Sequence, residues 1–372
     1  MYKKEILITN ILIKLNNCDS FCEYCYHKHD ENHIEVSDRY AYRGKLKENL
    51  DKILEFDKAY FQSPIIKICG GEIFLMRDIK SFVNNLLERY DYVLIQTNGK
   101  NIDDRYLKWI VDSKRILMQI SLDGHDLPMN KYRFKEEAIM ERMLHIIRTL
   151  KANDIYLELT TVLNNANTAR YDEFIAFLDS LPGGEHTNTL KVTPILLVDS
   201  KGIFTPTAED IKMMDRLIEN YDRYSNVLPL RIYLERLYQL LKGERLHYHC
   251  YNPIASVSYI DDGRVKCCTN ILPEEALNVG NIFNENPYDV IDSFGKTKIQ
   301  KLMLETNQWV PLCRKCFNFC SIYNLYFNDA VTLDELAGNN YMFNLPEVRT
   351  ALEQVKERIR KETAAAARKV FV

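Results

Sequence analysis

The side chains best equipped for chemistry in this sequence are cysteines, and they are unevenly spaced. Of ten in a chain of 372 residues, three lie at Cys18, Cys22 and Cys25, three at Cys250, Cys267 and Cys268, and three at Cys313, Cys316 and Cys320; only Cys69 stands apart. Thiols kept for packing would scatter. Thiols knotted together in a reducing compartment are metal ligands before they are disulfides. In the first knot, Cys-Asp-Ser-Phe-Cys-Glu-Tyr-Cys, the CxxxCxxC spacing lets a loop wrap one face of a cubane [4Fe–4S] cluster. Such a cluster takes four ligands, so three thiolates leave one iron open for chemistry. The same residues would also serve a zinc knuckle closed by His27 or His29, or three buried free thiols. Farther along, the Cys313-Arg-Lys-Cys316 pair can clamp a metal from adjacent turns while two earlier cysteines close its other side, a spacing that structural zinc also fits. Cys69 reads most simply as a small packed hydrophobe.

Positioning these groups falls to an alternation of strands and helices. Residues 5–15, rich in Ile and Leu, form a strand running into the cysteine loop, and residues 38–57 carry Leu46, Leu50, Ile53 and Leu54 at helical spacing. Strands over 65–68, 92–96, 116–122, 156–163 and 190–197 then alternate with helices near 78–90, 103–113, 136–152, 170–181 and 207–222. Six such repeats predict a parallel sheet covered by helices, with function at the C-terminal strand ends, and fall short of a closed eight-stranded barrel. At those ends lie Cys69-Gly70-Gly71-Glu72, Thr97-Asn98-Gly99, Ser121-Leu122-Asp123-Gly124 and, beyond the last, Arg133. Glycines there let the backbone approach a ligand and Glu72 can pair with an ammonium group, although turn chemistry alone also accounts for each stretch. A helix over 229–243, stopped by Gly243, leads onward to a hairpin over 256–267 that turns on Asp261-Asp262-Gly263. That hairpin places Cys267 and Cys268 on opposite faces. Helices near 287–305, a Tyr- and Phe-rich stretch and a charged helix from 346 to about 368 complete the chain.

With 46% hydrophobic and 27% charged residues, the chain can bury one large domain and a smaller one. A net charge of −3 and a pI near 6.3 give no electrostatic reason to bind a nucleic-acid backbone or an anionic membrane. There is no apolar run of about eighteen residues and no signal-peptide pattern at the N-terminus, so the expected location is cytoplasmic.

The cysteine loop with Tyr24 before its third cysteine, the three strand-end motifs and the later cysteine knots together resemble the radical S-adenosylmethionine (SAM) superfamily. The resemblance implies an α/β fold: a partial (β/α)6 TIM-like barrel, then a small α+β auxiliary-cluster domain of the twitch/SPASM type and a C-terminal helix. It divides the chain into a barrel over residues 1–225, a helical linker over 226–249, an auxiliary domain over 250–325 and a C-terminal helical segment over 326–372. It further implies that Cys18, Cys22 and Cys25 hold a [4Fe–4S] cluster whose fourth iron is chelated by SAM, with Tyr24 against the adenine. Gly70, Gly71 and Glu72 would then face the methionine amino group, Ser121 and Asp123 the ribose or carboxylate, Asn98 SAM or substrate, and Arg133 the carboxylate. Cys250, Cys268, Cys313 and Cys316 would hold one auxiliary [4Fe–4S] cluster. Cys267 or Cys320 are substitutes, because the full SPASM cysteine pattern is cut short: no cysteine follows Cys320. Cys69, beside the SAM motif, would be placed to donate a hydrogen atom to a substrate radical.

The chemistry so implied is reductive SAM cleavage and hydrogen-atom abstraction, directed at a ribosomally made peptide by crosslinking or epimerisation. The alternatives are a radical dehydrogenase of a small molecule such as an aminoglycoside precursor and, outside enzymes, a zinc-stabilised interaction module. The implied partners are the peptide or small-molecule substrate and a reductant protein such as flavodoxin or ferredoxin. Because the first strand starts so near the N-terminus, a separate leader-peptide-binding protein is also expected; nucleic acid and membrane are not.

Overall fold

The computed structural model describes residues 3–13, 18–20, 22–25, 44–196, 207–268 and 277–369. After a two-residue strand β1 (Lys4–Glu5) come β2 (Ile8–Ile13), α1 (Gly44–Tyr60), the short β3 (Phe61–Gln62), β4 (Ile65–Gly70), α2 (Ile79–Leu87), β5 (Tyr92–Thr97) and α3 (Asp104–Ser113). The alternation continues through β6 (Ile116–Ser121), α4 (Glu137–Ala152), β7 (Leu157–Val162), α5 (Tyr171–Ser180), β8 (Leu190–Ile195) and α6 (Ala208–Glu219). His27, His29 and the first part of the helix expected over 38–57 lie outside the described residues. Strands β2, β4, β5, β6, β7 and β8 pair in parallel in that order, so each intervening helix crosses back over the same side of the sheet.

Side-chain alternation gives this sheet two unlike faces. The face beneath the helices carries Ile11, Ile68, Ile95, Met118, Leu159 and Val192, all buried. The inner face carries Asn10, Lys67, Gln96, Gln119, Glu158 and Thr193. A barrel interior that is only a packed core is filled by branched apolar side chains. This one is polar.

Beyond α7 (Tyr221–Tyr224), α8 (Arg231–Leu241) and α9 (Asn252–Ala255), the expected hairpin forms from β9 (Ser256–Ile260) and β10 (Arg264–Lys266), and β11 (Asn278–Asn281) joins it. This hairpin does not begin a separate sheet. β9 lies parallel to β2, from Ser256 opposite Ile8 to Ile260 opposite Leu12, and β10 and β11 continue antiparallel. The result is one nine-stranded sheet in the order β11-β10-β9-β2-β4-β5-β6-β7-β8, continuous across the boundary drawn at residue 250. Buried Asp57 of α1 locks the junction: its carboxylate accepts hydrogen bonds from Thr9 of β2 (3.2 Å), Tyr90 (2.7 Å) and Tyr259 of β9 (2.9 Å). The C-terminal helix Pro346–Lys369 packs back over the start of the chain, where Arg358 Nη1 donates to the Glu5 carbonyl at 2.7 Å. Among the described residues, no helix is long and apolar enough to cross a membrane.

Candidate active site

The end of β4 needs glycine. A Cβ on Gly70 would stand 1.8 Å from the Ile13 carbonyl oxygen, so only glycine lets β4 close against β2 at this point. Glu72 then turns inward and is fully buried. Its Oε1 accepts hydrogen bonds from the Phe74 N–H (2.9 Å) and the Thr97 hydroxyl (2.6 Å), and its Oε2 from the Asn98 N–H (2.7 Å). Burial, only partly offset by these donors, pushes its pKa up to about 7. The protein itself thus supplies three donors to the carboxylate that sequence reserves for an ammonium group, and the carboxylate ties the end of β4 to the end of β5.

Asn98 carries the connection into the cysteine loop. Its side-chain amide lies 2.8 Å from Asp19 Oδ1, 2.9 Å from Ser20 Oγ and 3.6 Å from Cys18 Sγ. Lys100 and Asn101 add hydrogen bonds of 2.8 Å each to Asp19, so the turn after β5 grips the first half of the loop. Burial pushes the Cys18 thiol up to about 11, a preference that a bound metal's positive charge would reverse.

A second hub holds the other half. Asp123, fully buried after β6, accepts at Oδ1 from Arg133 Nη2 (3.1 Å) and the Val162 N–H (3.0 Å), and at Oδ2 from the Tyr24 hydroxyl. Burial, aided by the Asp123 carboxylate and opposed by the Arg133 guanidinium, holds the Tyr24 hydroxyl in its protonated, donating form. The Arg133 guanidinium lies 5.5 Å from the Tyr24 ring centre, with Nη1 3.9 Å from Cys22 Sγ. Tyr24, Glu72, Asn98, Asp123 and Arg133, dispersed through the sequence, therefore form two anchors for one cysteine loop. Half-buried Ser121 ends β6 on the inner face, and Cys69 shares that face with its thiol 3.7 Å from the Ile11 carbonyl. The asparagines after β7 serve the turn: Asn167 donates 2.9 Å bonds to the Asp123 and Val162 carbonyls.

The later cysteines gather at the far side of the hairpin. Cys250, Cys268 and Cys313 pack against a buried apolar group of Cys267, Leu277, Met303 and Val310. Cys267 is wholly buried in that group, and Cys268, only partly buried, packs against the same group; both follow the end of β10 at Lys266, so strand alternation does not set their directions. Tyr248 reaches the same place and donates a 2.9 Å hydrogen bond to the Cys316 carbonyl, and Asn318 Nδ2 lies 3.6 Å from Cys316 Sγ. Burial raises the thiols of Cys250 and Cys268 well above their ordinary value, and that of Cys313 to about 11. Cys320 follows on helix Phe319–Phe327, within the electrostatic reach of Cys250 and Cys268. Among the described residues no three His, Cys, Asp or Glu side chains converge tightly enough for a single metal ion. Amide and guanidinium donors turned toward the sulfurs of Cys18, Cys22 and Cys316 fit a thiolate-held iron–sulfur cluster, whose sulfurs accept such bonds.

One group of residues was not singled out from sequence: the middle of the inner face. Glu158 is fully buried there, with Oε2 accepting a 2.7 Å hydrogen bond from Gln119 Nε2 and Oε1 accepting none among the described residues. The Gln119 Oε1 is likewise without a donor. Burial pushes Glu158 up to about 7, against weaker pulls from Thr193, Lys67 and Gln119. The signal was present in the strand Leu-Glu-Leu-Thr-Thr-Val, where an acidic residue sits at an interior position of a strand buried on both faces.

Comparison with known proteins agrees with this architecture. Residues 12–178 match the family model of the Radical SAM superfamily. A curated relative, the Fe-coproporphyrin III synthase of Methanosarcina barkeri (strain Fusaro / DSM 804), is 25% identical over 165 residues, 44% of this chain and 38% of that protein, so the match spans well under half of the relative's length. The fold is similar to that of histidine-tagged anSMEcpe with bound AdoMet (TM-score 0.55, 18% identity, 93% of this chain and 98% of that chain covered). It is also similar to that of Streptococcus suis SuiB bound to S-adenosylmethionine (TM-score 0.56, 13% identity, 84% and 70% covered). SuiB has also been solved bound to the precursor peptide SuiA.

Proposed function

Because residues 12–178 of this chain are a radical SAM domain, we propose that Cys18, Cys22 and Cys25 hold its [4Fe–4S] cluster, that SAM occupies the open iron, and that the enzyme modifies a ribosomally made peptide. The observation that carries the site assignment is the double anchoring of the cysteine loop, by Asn98 on Cys18 and by Arg133 on Cys22. Bound together, cluster and SAM supply hydrogen-atom abstraction from carbon, and an auxiliary cluster supplies an electron acceptor.

The chain's own residues do the rest. Gly70 and Gly71 bring backbone close to the place assigned to the methionine end of SAM, while Glu72 fixes the two strand ends that frame it. Asp123, with Tyr24 and Arg133, fixes the second half of the loop. The polar inner face, centred on Gln119 and Glu158, receives the substrate below the strand ends and holds it by hydrogen bonds, so that the reacting carbon is presented in one orientation. Cys250, Cys268, Cys313 and Cys316 form the auxiliary site, with Cys320 alongside and Cys267 given over to packing.

A peptide substrate is supported by the fold-level likeness to SuiB, solved with its precursor peptide, and by the polar barrel interior. The test is anaerobic turnover with a reductant and separate panels of precursor peptides and amino sugars. Peptide-dependent release of 5′-deoxyadenosine with a matching peptide mass change supports the assignment; release with amino sugars alone contradicts it.

A further inference from the structure

Arg133 is an uncommon kind of arginine: 8% exposed, with Asp123, Cys22 and Tyr24 around its guanidinium. Its backbone is set by Asn130, which is wholly buried. The Asn130 Oδ1 accepts from the Asp123 N–H (2.9 Å), its Nδ2 donates to the Gly124 (3.0 Å) and Asp126 (2.8 Å) carbonyls, and its own carbonyl accepts from the Arg133 N–H (2.7 Å). The segment from Asp123 to Arg133 is thereby closed into a ring that returns the guanidinium to the residue it started from. Nη2 meets Asp123 Oδ1 at 3.1 Å, Nη1 points at Cys22 Sγ from 3.9 Å, the guanidinium lies over the Tyr24 ring, and Nε is buried without a hydrogen-bond partner among the described residues.

A cation held this way cannot swing to a distant carboxylate without breaking its pair with Asp123. Leaving that buried aspartate unpaired would be costly. We infer that Arg133 is a positioning residue for the Cys22 ligand: it donates toward that sulfur, orients it, and by its charge makes the cluster easier to reduce, with Asp123 as the opposing charge that trims the effect. Hydrogen bonds to ligand sulfurs and nearby charge are the levers by which a protein sets an iron–sulfur potential. The inference rests on the proposed reading of Cys22 as a cluster ligand, and it assigns Arg133 a role other than a contact to the SAM carboxylate.

The readout is the midpoint potential of the SAM-sensitive EPR signal of the full-length, anaerobically reconstituted protein, with iron content and SAM dissociation constant measured alongside. Arg133→Gln removes a positive charge and should move the midpoint to more negative values. Asp123→Asn removes a negative charge and should move it the opposite way. Arg133→Lys keeps the charge and should recover most of the Arg133→Gln shift. A purely structural role predicts no such opposition of sign. If Arg133→Gln fails to load iron, Arg133→Lys against Asp123→Asn decides the matter. Equal midpoints in the loaded variants, or shifts of the same sign, overturn the inference. So does an unchanged midpoint with weakened SAM binding in Arg133→Gln. A wild-type protein without any SAM-sensitive signal overturns the inference together with the reading beneath it; a wild-type signal that ignores Arg133 overturns the inference alone.

Discussion

Replacing Glu72 by glutamine tests the account of the Gly-Gly-Glu strand end through a quantity that needs no cofactor. The carboxyl is fully buried and raised from 4.5 to about 7, first by desolvation and in spite of three donors. A folded-state value above the unfolded one means that Glu72 favours folding most below the unfolded value, and that this contribution is lost as pH rises through the folded value. At 1.36 kcal/mol per pH unit, the loss over the whole titration is about 3 kcal/mol, of which about 2 kcal/mol falls between roughly pH 5 and 7.5. Glutamine cannot ionise, so urea denaturation of the apo protein should show wild type losing stability relative to Glu72→Gln by about that amount across the interval. The other titrating groups are common to both proteins and cancel in the difference. Curves that run parallel, or a wild type that gains on the variant as pH rises, would refute a buried, strained carboxylate and leave Glu72 facing a hydrated site.

Other substitutions probe the surrounding parts. Gly70→Ala forces a Cβ against the Ile13 carbonyl oxygen and should cost about 3 kcal/mol through displacement of β4; an unchanged thermal midpoint would show that the two strands can part cheaply. Glu158→Gln should leave substrate-free SAM cleavage intact and lower substrate-stimulated 5′-deoxyadenosine release by about tenfold, the equivalent of one charge-assisted hydrogen bond; undiminished stimulation would remove the inner face from the substrate site. Cys313→Ala should drop iron from about eight to about four per chain, sparing SAM cleavage while abolishing product, and retention of all the iron would exclude Cys313 from the auxiliary set.

Most of the barrel could be read from the chain because its information is local. Runs such as Ile65–Gly70 and Tyr92–Thr97 are apolar, short and bounded by turn residues, and the helices between them carry apolar stripes, so element type and order follow directly. β11 escaped because Asn278-Val279-Gly280-Asn281 has two asparagines and a glycine; it is a strand because β10 offers it a partner, and Gly280 is needed where a Cβ would meet Val290 at 2.9 Å. The joining of β9 to β2 escaped for a related reason: the hairpin is a local pattern, but the edge it adds to is chosen across roughly 250 residues by register and by the Asp57 lock, which in sequence is one charge on an amphipathic helix. At the site, the motif residues were legible and their partners were not. Asp123 was visible as a strand-end acid, yet that it binds Tyr24 and Arg133 depends on a loop that folds back upon itself. Glu158 was the recoverable omission, since polar residues alternate with apolar ones in both β6 and β7.

The claim beneath all of this is that Cys18, Cys22 and Cys25 hold an iron–sulfur cluster with one corner left for SAM. Its most direct test is 5′-deoxyadenosine formation by the anaerobically reconstituted protein given SAM and a strong reductant, in wild type and in Cys18→Ala, Cys22→Ala and Cys25→Ala. The account predicts steady formation by wild type and none by any of the three variants. Iron-replete wild type that leaves SAM intact, or variants that cleave it as well as wild type does, would contradict it.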